Sequence, residues 1–386
     1  MELKLLISTQ STVEYDGHSY YGNSVRALWK RYYAFGDQCR VIVHSKNVKR
    51  PLEDRLDDDT KLFVVKKINS FKAIVSRYSS YNAKIAEEQV RWADLCIVHL
   101  PSRNGYQVIR YCKKYGKPYL TVVCGCPWDA LWNHGWKGKL MAPLEFFKLK
   151  RYQRTSPYSI YVTNEFLQNR YPSNGLTIGC SNVNIPTGVE GVLEKRIENV
   201  RKRIREGRVL KIGTAAAVNV AYKGQEYVIR ALAVLKKKGI VFEYHLIGKG
   251  DNQRLLSIAQ DAGVADQVFF YGSLPHEKVL DYLDDIDIYV QPSKQEGLPR
   301  SLIEAMSRGC LCLGSKTAGI PELIEKEYVF SKGNVGEIQE ILCGINEEAL
   351  LHQGQRNFEK AKEYDCRLLN ERRNEFVKRF IKESGF

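Results

Sequence analysis

No stretch of the 386 residues approaches the ~18 consecutive apolar positions that a membrane-crossing helix needs, so no spanning segment is expected. The opening residues, MELKLLISTQSTVEYDGHS, turn polar too early for a secretory leader and lack its small-residue cleavage site. That reads as a cytoplasmic chain. A metal site is not expected either: of the two Cys-x-Cys pairs, Cys124/Cys126 and Cys310/Cys312, only the first has a histidine near it, His134. The ten cysteines are scattered from Cys39 to Cys366 through a chain long enough to fold without disulfide staples. Cys96, Cys310 and Cys312 lie in apolar runs and read as buried, reduced thiols. No internal repeat or low-complexity tract is visible, and tryptophan is absent after Trp136. Such an uneven distribution divides the chain into two dissimilar halves.

Positive charge is abundant. Lys and Arg number 59 against 44 Asp and Glu, a net charge of +15. This excess predicts an anionic partner: nucleic acid, a phosphorylated small molecule or an acidic membrane surface. No zinc finger, RNP-type strand or other recognition motif supports nucleic acid, and that partner is not expected.

Short apolar runs alternate with longer amphipathic ones, the pattern of parallel sheets covered by helices. In the first half the expected strands are 3–9, 39–45, 94–100, 118–123 and 159–163. The second half starts afresh at VLKIGTA (209–215) and continues through 242–248, 267–272, 287–292, 310–315 and 328–330. Between them, LEKRIENVRKRIREGR (193–208) reads as a solvated helix at a domain border. The expected architecture is therefore α/β, with two doubly wound Rossmann-like domains, 1–192 and 209–364. A terminal helix at about 365–386 is a candidate to cross back onto the first. Ligands of such sheets bind at the carboxyl ends of the strands, here in the cleft between domains.

The most informative stretch is DIDIYVQPSKQEGLPRSLIEAMSRGCLCLGSKTAGIPELI (285–324). A strand ending at IYVQP feeds the loop KQEGLPR, which carries Glu296, and a helix from about Ser301 carries Glu304. The helix start offers free N–H groups and a partial positive charge to an anion. The two carboxylates can accept hydrogen bonds from the hydroxyl pairs of sugars.

In order, Asp287, Tyr289, Pro292-Ser293, Glu296-Gly297, Leu302, Glu304-Ala305-Met306, Gly309, Gly314-Ser315 and Gly319-Ile320-Pro321-Glu322 resemble the signature of retaining GT-B glycosyltransferases, most closely family 4 (glycosyltransferase group 1). LIGKGDNQRLLSIAQDAGVADQVFFYGSLPHEKVLDYL (246–283) and AYKGQEYVIRALAVL (221–235) are similar to the preceding sections of that family. The resemblance covers about residues 209–330 and implies a GT-B enzyme that moves a sugar from a nucleotide sugar. It also implies roles. Glu296 contacts donor-sugar hydroxyls, Glu304 the ribose hydroxyls, and Lys223 the diphosphate, whose charge it stabilises as the sugar leaves. Backbone at Ser273 and Leu274 lies near the base, and Gly297 and Leu298 lie near sugar and phosphates. UDP is the default nucleotide. No cofactor or metal is implied, and Asp57-Asp58-Asp59 falls in a polar run between elements.

There are departures. The family usually carries an arginine five or six residues before the lysine, where this chain has Val218 and Ala217. Arg300, at the helix start, is the first candidate for the second cation, and Arg208 a weaker one. Pro299 has no N–H to give where relatives have glycine. In the first half the family's Gly-Gly loop is reduced to Tyr20-Tyr21-Gly22-Asn23, with Gly22 a candidate to approach the diphosphate or equally a helix-capping turn. The family's acceptor-side histidine is replaced by Cys124-Gly125. The loop PWDALWNHGW that follows offers Asp129 first and His134 second as acceptor-side polar residues, or is simply aromatic packing.

Two basic amphipathic stretches, KLFVVKKINSFKAIVSRY (61–78) and KGKLMAPLEFFKLKRYQR (137–154), read as helices suited to an anionic membrane surface or to the core. Together these expectations describe a peripheral enzyme at the inner face of the cytoplasmic membrane. Its acceptor is a glycan, lipid-linked as in capsule, O-antigen or exopolysaccharide assembly. The alternatives are a GT-B epimerase or phosphorylase, whose extra carboxylates or phosphate pocket are not visible, and a degenerate member that binds without catalysing.

Overall fold

A computed structural model describes residues 2–48, 55–56, 61–67 and 77–386. Two compact units emerge. The first comprises 1–128, 143–182 and 371–386, the second 129–142 and 183–370.

The first unit holds a sheet of eight strands among the described residues: β1 Lys4–Tyr15, β2 Tyr20–Tyr21, β3 Gln38–Asn47, β4 Lys61–Val65, β5 Leu95–Leu100, β6 Tyr119–Val123, β7 Tyr158–Tyr161 and β8 Leu176–Gly179. The order is β4-β3-β1-β5-β6-β7-β8, all parallel, with β2 antiparallel on the end of β1. Strands β5, β6 and β7 are buried along their whole length, as expected of parallel strands covered on both faces.

Four expectations are corrected here. First, 61–65 is the edge strand β4, not the start of a helix: Leu62-Phe63-Val64 pairs in register with Val41-Ile42-Val43. Helix is described from Arg77 to Trp92, and residues 68–76 of the expected helix lie outside the described set. Second, β1 runs past Thr9 to Tyr15, and Tyr20–Tyr21 folds back on it rather than forming a loop. Third, PWDALWNHGW is not a loop but helix Pro127–Trp132 followed by helix Gly135–Arg154. Fourth, the charged segment forms helix Val192–Arg205 but is not wholly solvated, because Arg196 and Val200 are buried.

The second unit carries β9 Leu210–Ala215, β10 Phe242–Ile247, β11 Val268–Phe270, β12 Ile288–Gln291, β13 Leu311–Ser315 and β14 Val329–Phe330. Their order is β11-β10-β9-β12-β13-β14, all parallel. Its core joins Ile212, Leu246, Ile288, Val290 and Leu313 to Val228, Leu232 and Leu235 of helix Gln225–Lys237. The C-terminal helix Cys366–Glu383 sets Phe376 and Phe380 against Tyr158 of β7, with ring centroids at 5.8 and 5.1 Å.

Arg196 works as a carbonyl clamp. Its Nε donates to Arg308 O (2.9 Å) and its Nη2 to Leu283 O (2.6 Å), while Nη1 donates to Ile286 O. Arg196→Ala strands these buried acceptors, so urea unfolding is expected to show a loss of about 3 kcal/mol or more. Arg196→Lys recovers only part of it, because an ammonium cannot reproduce the planar fork.

His99, near the end of β5, is buried with no partner at Nε2. Burial, aided by the charges of Arg31 and Arg373, pushes its imidazole down to about 3. The unfolded chain regains a proton near 6.5, so stability falls as pH drops from 6.5 toward 3. Between pH 7 and 4.5 the wild type is expected to lose about 2–3 kcal/mol more than His99→Gln in urea unfolding.

Candidate functional site

The strand order of the second unit reverses direction between β9 and β12, the place where open α/β sheets leave a crevice beyond their carboxyl ends. The chain leaves β9 through 216–220, makes the 3-10 turn Ala221–Lys223 and enters helix Gln225–Lys237 at Gly224. From β12 it passes Pro292-Ser293 and the loop 294–299 into helix Arg300–Ser307. Because β9 and β12 pair directly, the two loops rise side by side.

Gly224 lets them touch. It has φ +76°, and a Cβ there would stand 2.0 Å from Pro292 O. Lys294 N–H donates to Tyr222 O at 2.7 Å, closing the junction. These constraints put Lys223 Nζ 2.7 Å from Glu296 Oε1, both side chains largely buried at 21% and 12% exposure.

A polar chain supports the pair from below. Ala215 N–H donates to the Tyr289 hydroxyl (3.1 Å), which donates to Gln291 Oε1 (3.1 Å). Gln291 Nε2 donates to Ser293 Oγ (3.0 Å) and Glu296 Oε1 (3.1 Å), and Ser301 Oγ donates to Gln291 Oε1 (3.2 Å). Burial drives the Tyr289 phenol up, and the negative charge of nearby Glu304 adds to it. Glu304 therefore acts electrostatically on the same strand end. The far side of the loop is pinned as well. Thr317 Oγ1 donates to Ser293 O (2.8 Å), and Gly319 N–H donates to Gly297 O (2.9 Å).

The structure thus brings Lys223, Glu296, Gly297, Leu298, Arg300 and Glu304 to the carboxyl ends of the two central strands. Leu298 is buried and Arg300 is exposed, without an ion pair to any described residue. Ser273 and Leu274 follow β11, two strands from β9 and at the same carboxyl end of the sheet. The intervening rim is continuous: Gly248 N–H donates to Gly272 O (2.8 Å), and Val218 N–H donates to Lys249 O (3.1 Å). Val218, one of the two residues standing where the family carries its arginine, is a core residue. Arg208 precedes β9, at the opposite end of the sheet from Lys223, and pairs with Glu206, so it is not a second cation here.

Gly22 belongs to the first unit, at φ +135° before helix Asn23–Lys30. Asp129 is buried and faces Lys332 at 3.8 Å. His134 is exposed, its ring 5.9 Å edge-on to that of Tyr222, the residue before Lys223. Gln291 was missed. Its only signal is an amide ending the otherwise apolar strand IYVQ.

A parallel sheet of this order, with polar side chains gathered where its strand order reverses, has the form of a ligand-binding α/β unit, and known proteins resemble it. Residues 201–357 match the family model described as Glycosyl transferases group 1. Protein CapJ of Staphylococcus aureus is 29% identical over 322 residues, 82% of this chain and 79% of that one. The amylovoran biosynthesis glycosyltransferase AmsK of Erwinia amylovora is 36% identical over 135 residues, 32% of this chain and 33% of that one. Among solved structures, Anabaena HepE in complex with UDP and glucose is similar in fold, with a TM-score of 0.64 at 16% identity, over 97% of this chain and 99% of that one. Residues 201–357 are thus similar to group 1 glycosyltransferases, in a chain of GT-B fold.

Gly224→Ala forces a Cβ into Pro292 O and strains a left-handed backbone. It is expected to cost at least about 2 kcal/mol in urea unfolding, through overpacking and αL strain together.

Proposed function

We propose that this chain is a retaining glycosyltransferase that moves a sugar from a nucleotide sugar, UDP-linked by default, to a lipid-linked glycan at the inner face of the cytoplasmic membrane. The observation that carries this reading is the 2.7 Å juxtaposition of Lys223 and Glu296 at the switch point. In a nucleotide sugar a single oxygen separates the sugar's anomeric carbon from the diphosphate. A cation for the phosphate and an acceptor for the sugar hydroxyls must therefore stand side by side. HepE, solved with UDP and glucose, supports the choice of nucleotide, and AmsK supports a polysaccharide product.

In this reading Lys223 holds the diphosphate and Glu296 orients the sugar through its hydroxyls. Glu304 takes the ribose hydroxyls, and Arg300 supplies the second cation. Backbone at Gly297 and Leu298 lines sugar and phosphates, and backbone at Ser273 and Leu274 lies by the base. Asp129 and His134 serve the acceptor side. An acceptor hydroxyl attacks the anomeric carbon on the face the nucleotide leaves. The bond to the diphosphate breaks, and a phosphate oxygen receives the hydroxyl proton. The chain contributes positioning and charge stabilisation rather than a metal.

Nucleotide release from a panel of UDP- and GDP-sugars, with and without lipid-linked acceptor, tests the proposal. Glu296→Ala and Lys223→Ala are expected to lower kcat by about 100-fold or more. Glu304→Ala is expected chiefly to raise the donor KM, and EDTA to leave turnover unchanged. No turnover of any nucleotide sugar by the wild type would refute the activity; full turnover by Glu296→Ala would refute the site.

A further inference from the structure

Helix Gly135–Arg154 holds four large apolar side chains in solvent: Trp136, Leu140, Leu144 and Phe147, each 63–66% exposed. Their spacing is helical, and at about 100° per residue they fall within an arc of roughly 80°. The helix buries other residues, Ala142 and Leu149, so the exposed stripe is not its core-facing side. An apolar row of this kind, rimmed by charge, marks an interaction surface.

The rim is of one sign. Lys137, Lys139, Lys148, Lys150, Arg151 and Arg154 surround the stripe, and the helix's one acid, Glu145, is paired with Lys148 at 3.4 Å. Lys137 lies over the Trp136 ring at 5.4 Å, an alkyl stem along an aromatic face with its ammonium outward.

Beside Phe147 opens a cavity of about 850 Å³ in the first unit, lined by Arg110, Lys113, Lys148 and Arg151 together with Tyr152, and by no acid. Lys113 donates to Thr155 Oγ1 at 2.6 Å. Partial burial and the charge of Arg151 push its ammonium down. Arg110 and Arg151 form no ion pair with any described residue.

We propose that the exposed face of helix Gly135–Arg154 and the basic cavity beside Phe147 form a docking surface for an anionic phospholipid bilayer, with the cavity taking a lipid phosphate. The occupant follows from charge complementarity. Four lining cations, of which only Lys148 is paired with a carboxylate, suit a phosphate headgroup, and an apolar stripe flanked by lysines suits the boundary between headgroups and acyl chains. This deepens the membrane-face reading above and rests on it.

Flotation of the full chain with vesicles of phosphatidylglycerol and phosphatidylcholine, against phosphatidylcholine alone, tests it. Wild type is expected to float only with the anionic vesicles and to weaken as salt rises. Leu144→Ser/Phe147→Ser and Arg110→Ser/Arg151→Ser are each expected to lower partitioning about tenfold or more, the second pair also flattening the salt dependence. Unchanged thermal melting and donor-nucleotide binding establish that both variants are folded. If wild type does not float, the membrane reading falls with the proposal. If wild type floats and both variants float equally, only this surface is wrong. A concentration-dependent dimer abolished by Leu144→Ser/Phe147→Ser would assign the stripe to a second copy instead and overturn the proposal.

Discussion

The candidate site depends on the pairing of β9 with β12, two strands adjacent in space although β10 and β11 separate them in the chain. Asp287 fixes that pairing at its amino end. Its Oδ2 accepts the Lys211 N–H at 2.8 Å, its own N–H donates to Lys211 O at 3.0 Å, and Arg203 Nε stands 3.1 Å from the carboxylate. Burial raises the Asp287 carboxyl, and the Lys211 N–H together with Arg203 and Arg196 opposes that rise. The register set there carries to the other end, where Ala215 and Gln291 end their strands and Tyr289 bridges them. A shift by one residue would turn Gln291 away from Glu296, because side chains alternate along a strand.

The sheets were legible because buried parallel strands are continuous apolar runs, as LCIVHL of β5 and LCLGS of β13 are. Edge elements were not. In 61–78, Val64, Ile68, Phe71 and Val75 recur at helical spacing, and this pattern outcompeted the run LFVV, whose strand identity comes from its partner β3. β8 is largely exposed and carries little apolar signal, and β2 is only two residues long. Arg196 looks like its charged neighbours in sequence. What distinguishes it is three carbonyls, from Leu283, Ile286 and Arg308, that only the folded chain assembles.

At the site the split is similar. Glu296, Glu304 and Lys223 stand in stretches that resemble a family signature, and the structure puts Lys223 and Glu296 on adjoining turns with Glu304 on the helix that follows. Gln291 could not be read in this way, because an amide under a carboxylate has no spacing rule of its own. Asp129 and His134 stand out by their chemistry in a tryptophan-rich stretch. The contacts they make, to Lys332 and Tyr222, come from residues that follow them by far in sequence. Sequence pattern locates local motifs better than the partners supplied by remote segments.

The turn after β13 shows what holding the site costs. Ala318 sits at φ +47°, a left-handed conformation that costs a residue with a side chain about 1–2 kcal/mol. In return the turn aims Thr317 Oγ1 at Ser293 O and Gly319 N–H at Gly297 O, clamping the Glu296 loop on the side away from Gly224. Each bond is worth about 1 kcal/mol net, so the clamp roughly offsets the strain and adds little stability. What it does add is position. Glu296 stands on a segment tied at Ser293, Lys294 and Gly297, to residues of two different loops. Catalysis by positioning needs such a carboxylate held within a fraction of an ångström. A strained residue retained at small net gain fits a turn shaped by the geometry of the site more than by the stability of the fold.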